Sequence, residues 1–151
     1  MNKYMLSDIA KFINGELYGN DIIVSNFSID SRTIRKDDVF ICIKGNKYDG
    51  HDFISDCIKK ASCLITSKEI TDINLKEKPY IKVQDTLKAL QDVSRFVRSK
   101  SNAKFIAITG SNGKTTVKEM IAHILSDYKI CYTRGNFNNH IGVPLTLLSM
   151  K

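Results

Sequence analysis

Within seven consecutive positions, Gly110-Ser-Asn-Gly-Lys-Thr-Thr116, stand two glycines, a lysine and two threonine hydroxyls. A glycine-rich turn that opens a helix points its backbone amides at one spot. The helix dipole makes that spot favourable for negative charge, so the segment suits a polyphosphate. Lys114 would reach the terminal phosphates and is the candidate catalytic residue. Gly110, Ser111, Asn112, Gly113, Lys114, Thr115 and Thr116 are the candidates for holding that polyphosphate, with the Thr115 hydroxyl taking a place on Mg²⁺. The spacing is G-x-x-G-K-T-T, shorter than the usual G-x-x-x-x-G-K-[ST], whose first glycine would fall at Ile108. The bland alternative is an ordinary tight turn between a strand and a helix.

The surroundings favour the phosphate reading. An apolar run at 105–108 predicts a strand entering the loop. Val117, Met120, Ile121, Ile124 and Leu125 recur on one helical face after it. A second buried strand is predicted at 130–133. An Asn-rich turn at 135–143 follows, and Pro144 suits the first position of a helix carrying Leu145, Leu147 and Leu148. Asn138 and Asn139 either face a substrate or form turns, since asparagine tolerates left-handed backbone. His123 and Glu119 share a helix face four residues apart and read as a solvated pair.

The front of the chain offers weaker candidates. Arg32, ending a strand after Asp30 and Ser31, could hold a diphosphate or be an ordinary surface cation. His51 follows Asp49 and Gly50 in a polar loop, where it could touch a ligand or simply bond locally. Around them the pattern predicts a helix capped by Ser7 and closed by Gly15, then strands at 16–18, 22–29, 39–43, 63–66 and 80–83. A helix is marked by Phe53, Ile54, Cys57, Ile58 and Ala61, and a longer one runs from the cap Asp85 to about Ser99. The polar run 67–79 reads as a surface connection.

Composition bounds the rest. The 151 residues are 42% hydrophobic, which is globular and suits one medium domain or two small ones. The formal net charge is +7, and it is denser after residue 102, around the candidate phosphate loop. No basic cluster alternates with aromatics, and only 5 of the 23 cations are arginine, so nucleic-acid binding is disfavoured. The four cysteines show no metal spacing, and Cys42 reads as a small buried hydrophobe. With no leader-like start and no long apolar stretch, a cytoplasmic protein with reduced thiols and no membrane contact is expected.

At this point the residues resemble a known family. The loop Gly110 to Thr116, with its shortened glycine spacing, is similar to the ATP loop of the Mur ligases, which add amino acids to the peptidoglycan precursor. Asp30-Ser31-Arg32, the run 39–43, Lys44-Gly45 and Asp49-Gly50-His51 resemble that family's N-terminal uridine-nucleotide domain. The stretch 135–148 is most similar to the branch that joins D-alanyl-D-alanine to UDP-N-acetylmuramoyl-tripeptide. The resemblance implies that Ile29, Ser31, Asn46, Lys47 and Tyr48 contact the uridine nucleotide. It also implies an ATP-driven acyl phosphate, attacked by the amine of the dipeptide.

The fold class expected is α/β. Residues 1–84 would form a small uridine-nucleotide domain, and 85–151 the start of a phosphate-loop ATPase domain with a parallel sheet. The family's acidic magnesium ligand, modified lysine and C-terminal domain lie downstream of what this sequence holds, so the chain by itself is expected to be inactive. Competing readings are the diamino-acid-adding branch, a stand-alone uridine-nucleotide or partner-binding module, and an unrelated small NTPase. The last would need a magnesium carboxylate, and only Glu119 and Asp127 follow the loop.

Overall fold

Strands that read as unbroken apolar runs lie side by side in the middle of a five-stranded sheet. The computed structural model describes residues 3–71, 78–135 and 137–150. Residues 72–77, inside the expected polar connection, and Asn136 in the Asn-rich turn lie outside them. In chain order the elements are β1 (Tyr4–Met5), α1 (Leu6–Phe12), β2 (Glu16–Tyr18), β3 (Ile23–Val24), β4 (Asn26–Ser28) and β5 (Asp38–Ile41). A 3-10 turn (Gly50–Phe53), α2 (Ile54–Lys60), β6 (Cys63–Thr66), β7 (Tyr80–Lys82), α3 (Thr86–Ser99), α4 (Lys114–Ile124) and α5 (Gly142–Leu148) follow.

The sheet order is β2-β7-β6-β5-β4, with β4 to β7 parallel and β2 antiparallel at one edge. Both faces of its centre are covered, which is why β5 and β6 show no polar alternation. Val39, Ile41, Cys63, Ile65 and Ile81 face α1 and α3, meeting Leu6, Ile9, Leu90, Val93 and Phe96. Phe40, Cys42, Leu64 and Tyr80 point the other way, onto Cys57 and Ile58 of α2. Cys42 is thus the buried hydrophobe expected, and burial pushes its thiol up to about 12.

Several local expectations change. Ser7 does not cap α1: Met5 holds the cap position, and the Ser7 amide donates to Asp21 Oδ1 at 2.9 Å. A carboxylate 14 residues along thus does the work of a cap, and the Ser7 hydroxyl together with this amide bond holds the Asp21 carboxyl below its ordinary range. At the other end the left-handed residue is Asn14 (φ 53°), and the Gly15 amide donates to the Ala10 carbonyl at 2.8 Å. The run 22–29 is two strands: β3 pairs with β1 in a separate antiparallel ribbon, whereas β4 joins the main sheet.

The strands expected at 105–108 and 130–133 are not formed among the described residues. Phe105, Ile106, Ile130 and Tyr132 are exposed, as are Val117, Met120 and Ile124 on the apolar face of α4. Strand preference expresses pairing and packing rather than an intrinsic backbone choice. Here neither run has a paired neighbour, so the apolar pattern produces no ladder. The parallel sheet that is present is built from β4 to β7, within residues 26–82. By contrast, α5 is docked: Ile141, Leu145 and Leu148 pack on the core that α3 shares with the sheet. Helix α5 begins two residues before Pro144, which sits in its first turn, where no amide partner is needed.

Candidate functional site

Two places carry the candidate residues. The first is the turn into α4. Gly110 (φ 151°) and Gly113 (φ 76°) both adopt backbone that a side chain resists, and Gly113 is the helix cap. Helix α4 starts with no side-chain cap, so its first amides have no partner from a capping group. Lys114 turns back so that Nζ donates to the Gly110 carbonyl at 2.5 Å. Ser111, Asn112, Thr115 and Thr116 are exposed around it. The ingredients for a polyphosphate are therefore together: uncapped amides, a helix start and an ammonium held over the turn by a neutral carbonyl. For magnesium, the neighbourhood supplies hydroxyls only. Glu119, one turn on, is engaged by Lys118 at 2.9 Å rather than by His123, and no cluster of three metal-ligating side chains occurs among the described residues. An ion here would rest on a threonine hydroxyl, phosphate oxygens and water.

The second place is the carboxyl end of the parallel strands, where open α/β sheets bind ligands. Ile29, Ser31 and Arg32 leave β4, and the loop with Asn46, Lys47 and Tyr48 leaves β5. The two loops leave adjacent parallel strands at the same end of the sheet. Arg32 is already bound bidentately to Asp30, Nε–Oδ1 at 2.9 Å and Nη2–Oδ2 at 2.8 Å. That pairing holds the Asp30 carboxyl down at about 2. The guanidinium remains 86% exposed, so one face is open to an anion.

Asn139, His140 and His51 are engaged by groups of the protein itself. Oδ1 of Asn139 accepts the amides of Ile141 and Gly142 at 3.1 and 2.7 Å, capping α5 from within the Asn-rich turn. Asn138 is exposed, and the His140 carbonyl accepts from Gln91 on α3. His51 is buried and bonded on both ring nitrogens to protein groups. Sequence reasoning missed Lys118, whose Nζ donates to the carbonyls of Thr133 and Gly135 and pins the start of the Asn-rich turn. It also missed Ser67, the partner of His51; only the Asp-Gly-His order hinted at a local bond.

Fold and loop together describe an α/β protein with a parallel sheet and a glycine-lysine-threonine turn opening a helix. A family profile described as "Mur ligase family, catalytic domain" matches residues 23–98, and one described as "Mur ligase middle domain" matches 108–151. The chain belongs to the Mur ligase family. It is 44% identical, over 148 residues, to the UDP-N-acetylmuramoyl-tripeptide–D-alanyl-D-alanine ligase of Buchnera aphidicola subsp. Acyrthosiphon pisum, covering 97% of this chain and 32% of that enzyme. A crystal structure of MurF from Acinetobacter baumannii superposes with a TM-score of 0.87 at 30% identity, covering 100% of this chain and 34% of that one. MurF ligase from Thermotoga maritima, solved in complex with ADP, gives 0.71 at 29% identity over 83% of this chain and 29% of that one. The chain spans about a third of the length of the curated relatives it matches.

Proposed function

We propose that this chain supplies the uridine-nucleotide end and the ATP loop of a ligase that joins D-alanyl-D-alanine to UDP-N-acetylmuramoyl-tripeptide. Similarity to such enzymes along nearly the whole chain is the observation that carries this reading, and the relatives span both candidate places. Ile29, Ser31, Arg32, Asn46, Lys47 and Tyr48 would hold the uridine nucleotide at the carboxyl end of the sheet. Lys114 and the amides of 110–113 would hold the phosphates of ATP, with Thr115 or Thr116 touching Mg²⁺. The γ-phosphoryl group of ATP would pass to the tripeptide carboxylate with release of ADP, and the dipeptide amine would attack the carbonyl carbon of the resulting acyl phosphate, displacing inorganic phosphate and forming the amide. For such transfer the protein's part is positioning and charge neutralisation. Lys114 fits that part, because its ammonium is held by a neutral carbonyl that a phosphate oxygen can replace.

The reading includes a cytoplasmic location, where nucleotide precursors and ATP are available. Consistent with it, no helix among the described residues is long and apolar enough to cross a membrane. The test is phosphate release by the ligase carrying this chain, with the tripeptide nucleotide, dipeptide, ATP and Mg²⁺. Release that depends on D-alanyl-D-alanine supports the assignment. Release that depends instead on a diamino acid, with the precursor one residue shorter as acceptor, would move the chain to the sibling branch.

A further inference from the structure

The loop leaving β5 is a built turn. Lys44 and Asp49 form an antiparallel bridge, and the Gly45 amide donates to the Tyr48 carbonyl at 2.9 Å, leaving Asn46 and Lys47 at the tip. Gly50 presses the base of the turn onto the exit of β5: its amide donates to the Ile43 carbonyl at 2.9 Å. A Cβ on Gly50 would lie 2.8 Å from the Ile43 nitrogen. Behind this base sits the imidazole of His51, with only 4% of the side chain exposed.

Both ring nitrogens are committed. Nδ1 lies 2.5 Å from Asp49 Oδ1, which also accepts the His51 amide at 3.0 Å. Nε2 accepts the Ser67 amide at 3.1 Å and lies 2.9 Å from the Ser67 hydroxyl. A backbone N–H only donates, so Nε2 must be the acceptor and the proton must sit on Nδ1, facing the carboxylate. The ring is therefore one neutral tautomer, tying the turn after β5 to the first residue after β6. The order of atoms is that of a Ser–His–Asp relay. Yet the Nε2 lone pair that a general base would use is engaged by an amide fixed in the backbone. The arrangement is a tie, not a base.

We propose that His51 is a positioning residue for nucleotide recognition. Through Asp49 and Ser67 it locks the turn 45–48 across the carboxyl ends of β5 and β6, and so presets Asn46, Lys47 and Tyr48. The proposal rests on the uridine-nucleotide reading above and adds to it. Asn46 and Lys47 stand at the tip of a turn whose closing bonds lie at its base, so the order of the tip depends on the anchor. Fixing a recognition loop before binding removes the ordering cost from the binding step.

The experiment titrates UDP into the 151-residue chain by amide NMR and reads hydrogen exchange of Gly45 and Gly50 separately. His51→Gln places an amide oxygen where Nε2 accepts from Ser67; His51→Asn places a donor where Nδ1 meets Asp49. Each keeps half of the tie. Asp49→Asn keeps an oxygen for both His51 donors, and Ser67→Ala keeps the amide. Losing one bond of the tie is expected to weaken UDP binding, and to quicken exchange at Gly45 and Gly50, by about tenfold in each His51 variant. Exchange in β5 and β6 should be unchanged, Ser67→Ala should stay within about twofold, and Asp49→Asn, which keeps the acceptor but loses its charge, should fall between Ser67→Ala and the His51 variants. Unaltered UDP affinity in both His51 variants overturns the proposal alone. So does loss of protection throughout the sheet, which would make His51 a core residue without a specific effect on the turn. Absence of UDP binding by the unaltered chain overturns the uridine reading, and this proposal with it.

Discussion

The ammonium of Lys114 lies 2.5 Å from the carbonyl of Gly110, four residues back, so the lysine closes its own loop across the start of α4. The same ammonium is the cation that the proposed function gives to the terminal phosphates. A phosphate would exchange a neutral acceptor for a charged one, and charge-assisted bonds are roughly twice as strong.

Replacing Lys114 by alanine removes that exchange. In the ligase carrying this chain, turnover should fall at least about a hundredfold, the scale seen when one preorganised charge-stabilising donor is lost. Lys114→Arg should not restore it, because a planar guanidinium cannot follow the same path back over the turn. Phosphate release under saturating substrates is the measurement. Near-normal turnover in Lys114→Ala would remove the loop from the mechanism.

Asp49 gives the fold an acid dependence. The His51 amide and imidazole hold its carboxyl down at about 2, against an ordinary value near 3.8. A carboxyl with a depressed folded value binds its proton more readily when unfolded, so stability rises with pH across that window. The contribution is present above about pH 4 and lost as pH falls towards 2. Asp49→Asn should flatten the slope of stability against pH between those limits and leave it unchanged near neutrality. Urea titrations at several pH values would show it, and an unaltered acid slope in the variant would count against this pairing.

Much of the front fold was legible because its signals are local. The apolar runs of β5, β6 and β7 needed no partner to be recognised, and Asp85 caps α3 as expected, accepting the amides of Leu87 and Lys88. What failed was non-local. Nothing near Ser7 announces that Asp21 will take its amide, and nothing in 22–29 says that its two halves will join different sheets. The runs 105–108 and 130–133 have strand composition but no paired neighbour. At the turn into α4, the left-handed backbone at Gly110 and Gly113 and the helix start at Lys114 were legible from spacing alone. The capping role of Asn139 and the buried tie of His51 were not, because each depends on where a side chain turns.

Asn139 separates structure from recognition within the Asn-rich turn. Its side chain satisfies two amides at the start of α5. Asn139→Ala should therefore cost about 1 kcal/mol, the usual loss for a helix cap, with Asn139→Asp close to neutral. Exposed Asn138→Ala should leave the melting temperature unchanged. If Asn139→Ala melts like the unaltered chain, the cap contributes nothing and a substrate role regains its place.

Gly15 is set by space. A Cβ there would lie 2.4 Å from Ile81 Cγ2 and 3.0 Å from Val83 Cγ1, both on the face of the sheet beneath α1. Gly15→Ala should destabilise by about 1–3 kcal/mol, the cost of overpacking a core, despite the better intrinsic propensity of alanine. A raised midpoint in urea would mean that Ile81 gives way freely.

The core of the first folding unit extends past β7. The sequence pattern places a boundary at 84/85, after β7, but α3 begins at Thr86 and lies on the sheet. Its Ala89, Leu90, Val93, Phe96 and Val97 are buried in the same core as Leu6, Ile9, Val39 and Ile65. Burying side chains of this size contributes about 1.5–3 kcal/mol each. Four such residues and an alanine amount to something on the order of 10 kcal/mol, comparable to the whole stability of a small domain. We therefore propose a boundary after α3, near residue 100. Residues 1–100 should melt cooperatively, weakened only by the loss of the partly buried Ile141, Leu145 and Leu148. Residues 1–84 should show no cooperative transition and should expose the apolar face of the sheet to a hydrophobic dye. A sharp thermal transition in the shorter fragment would put the boundary back before α3.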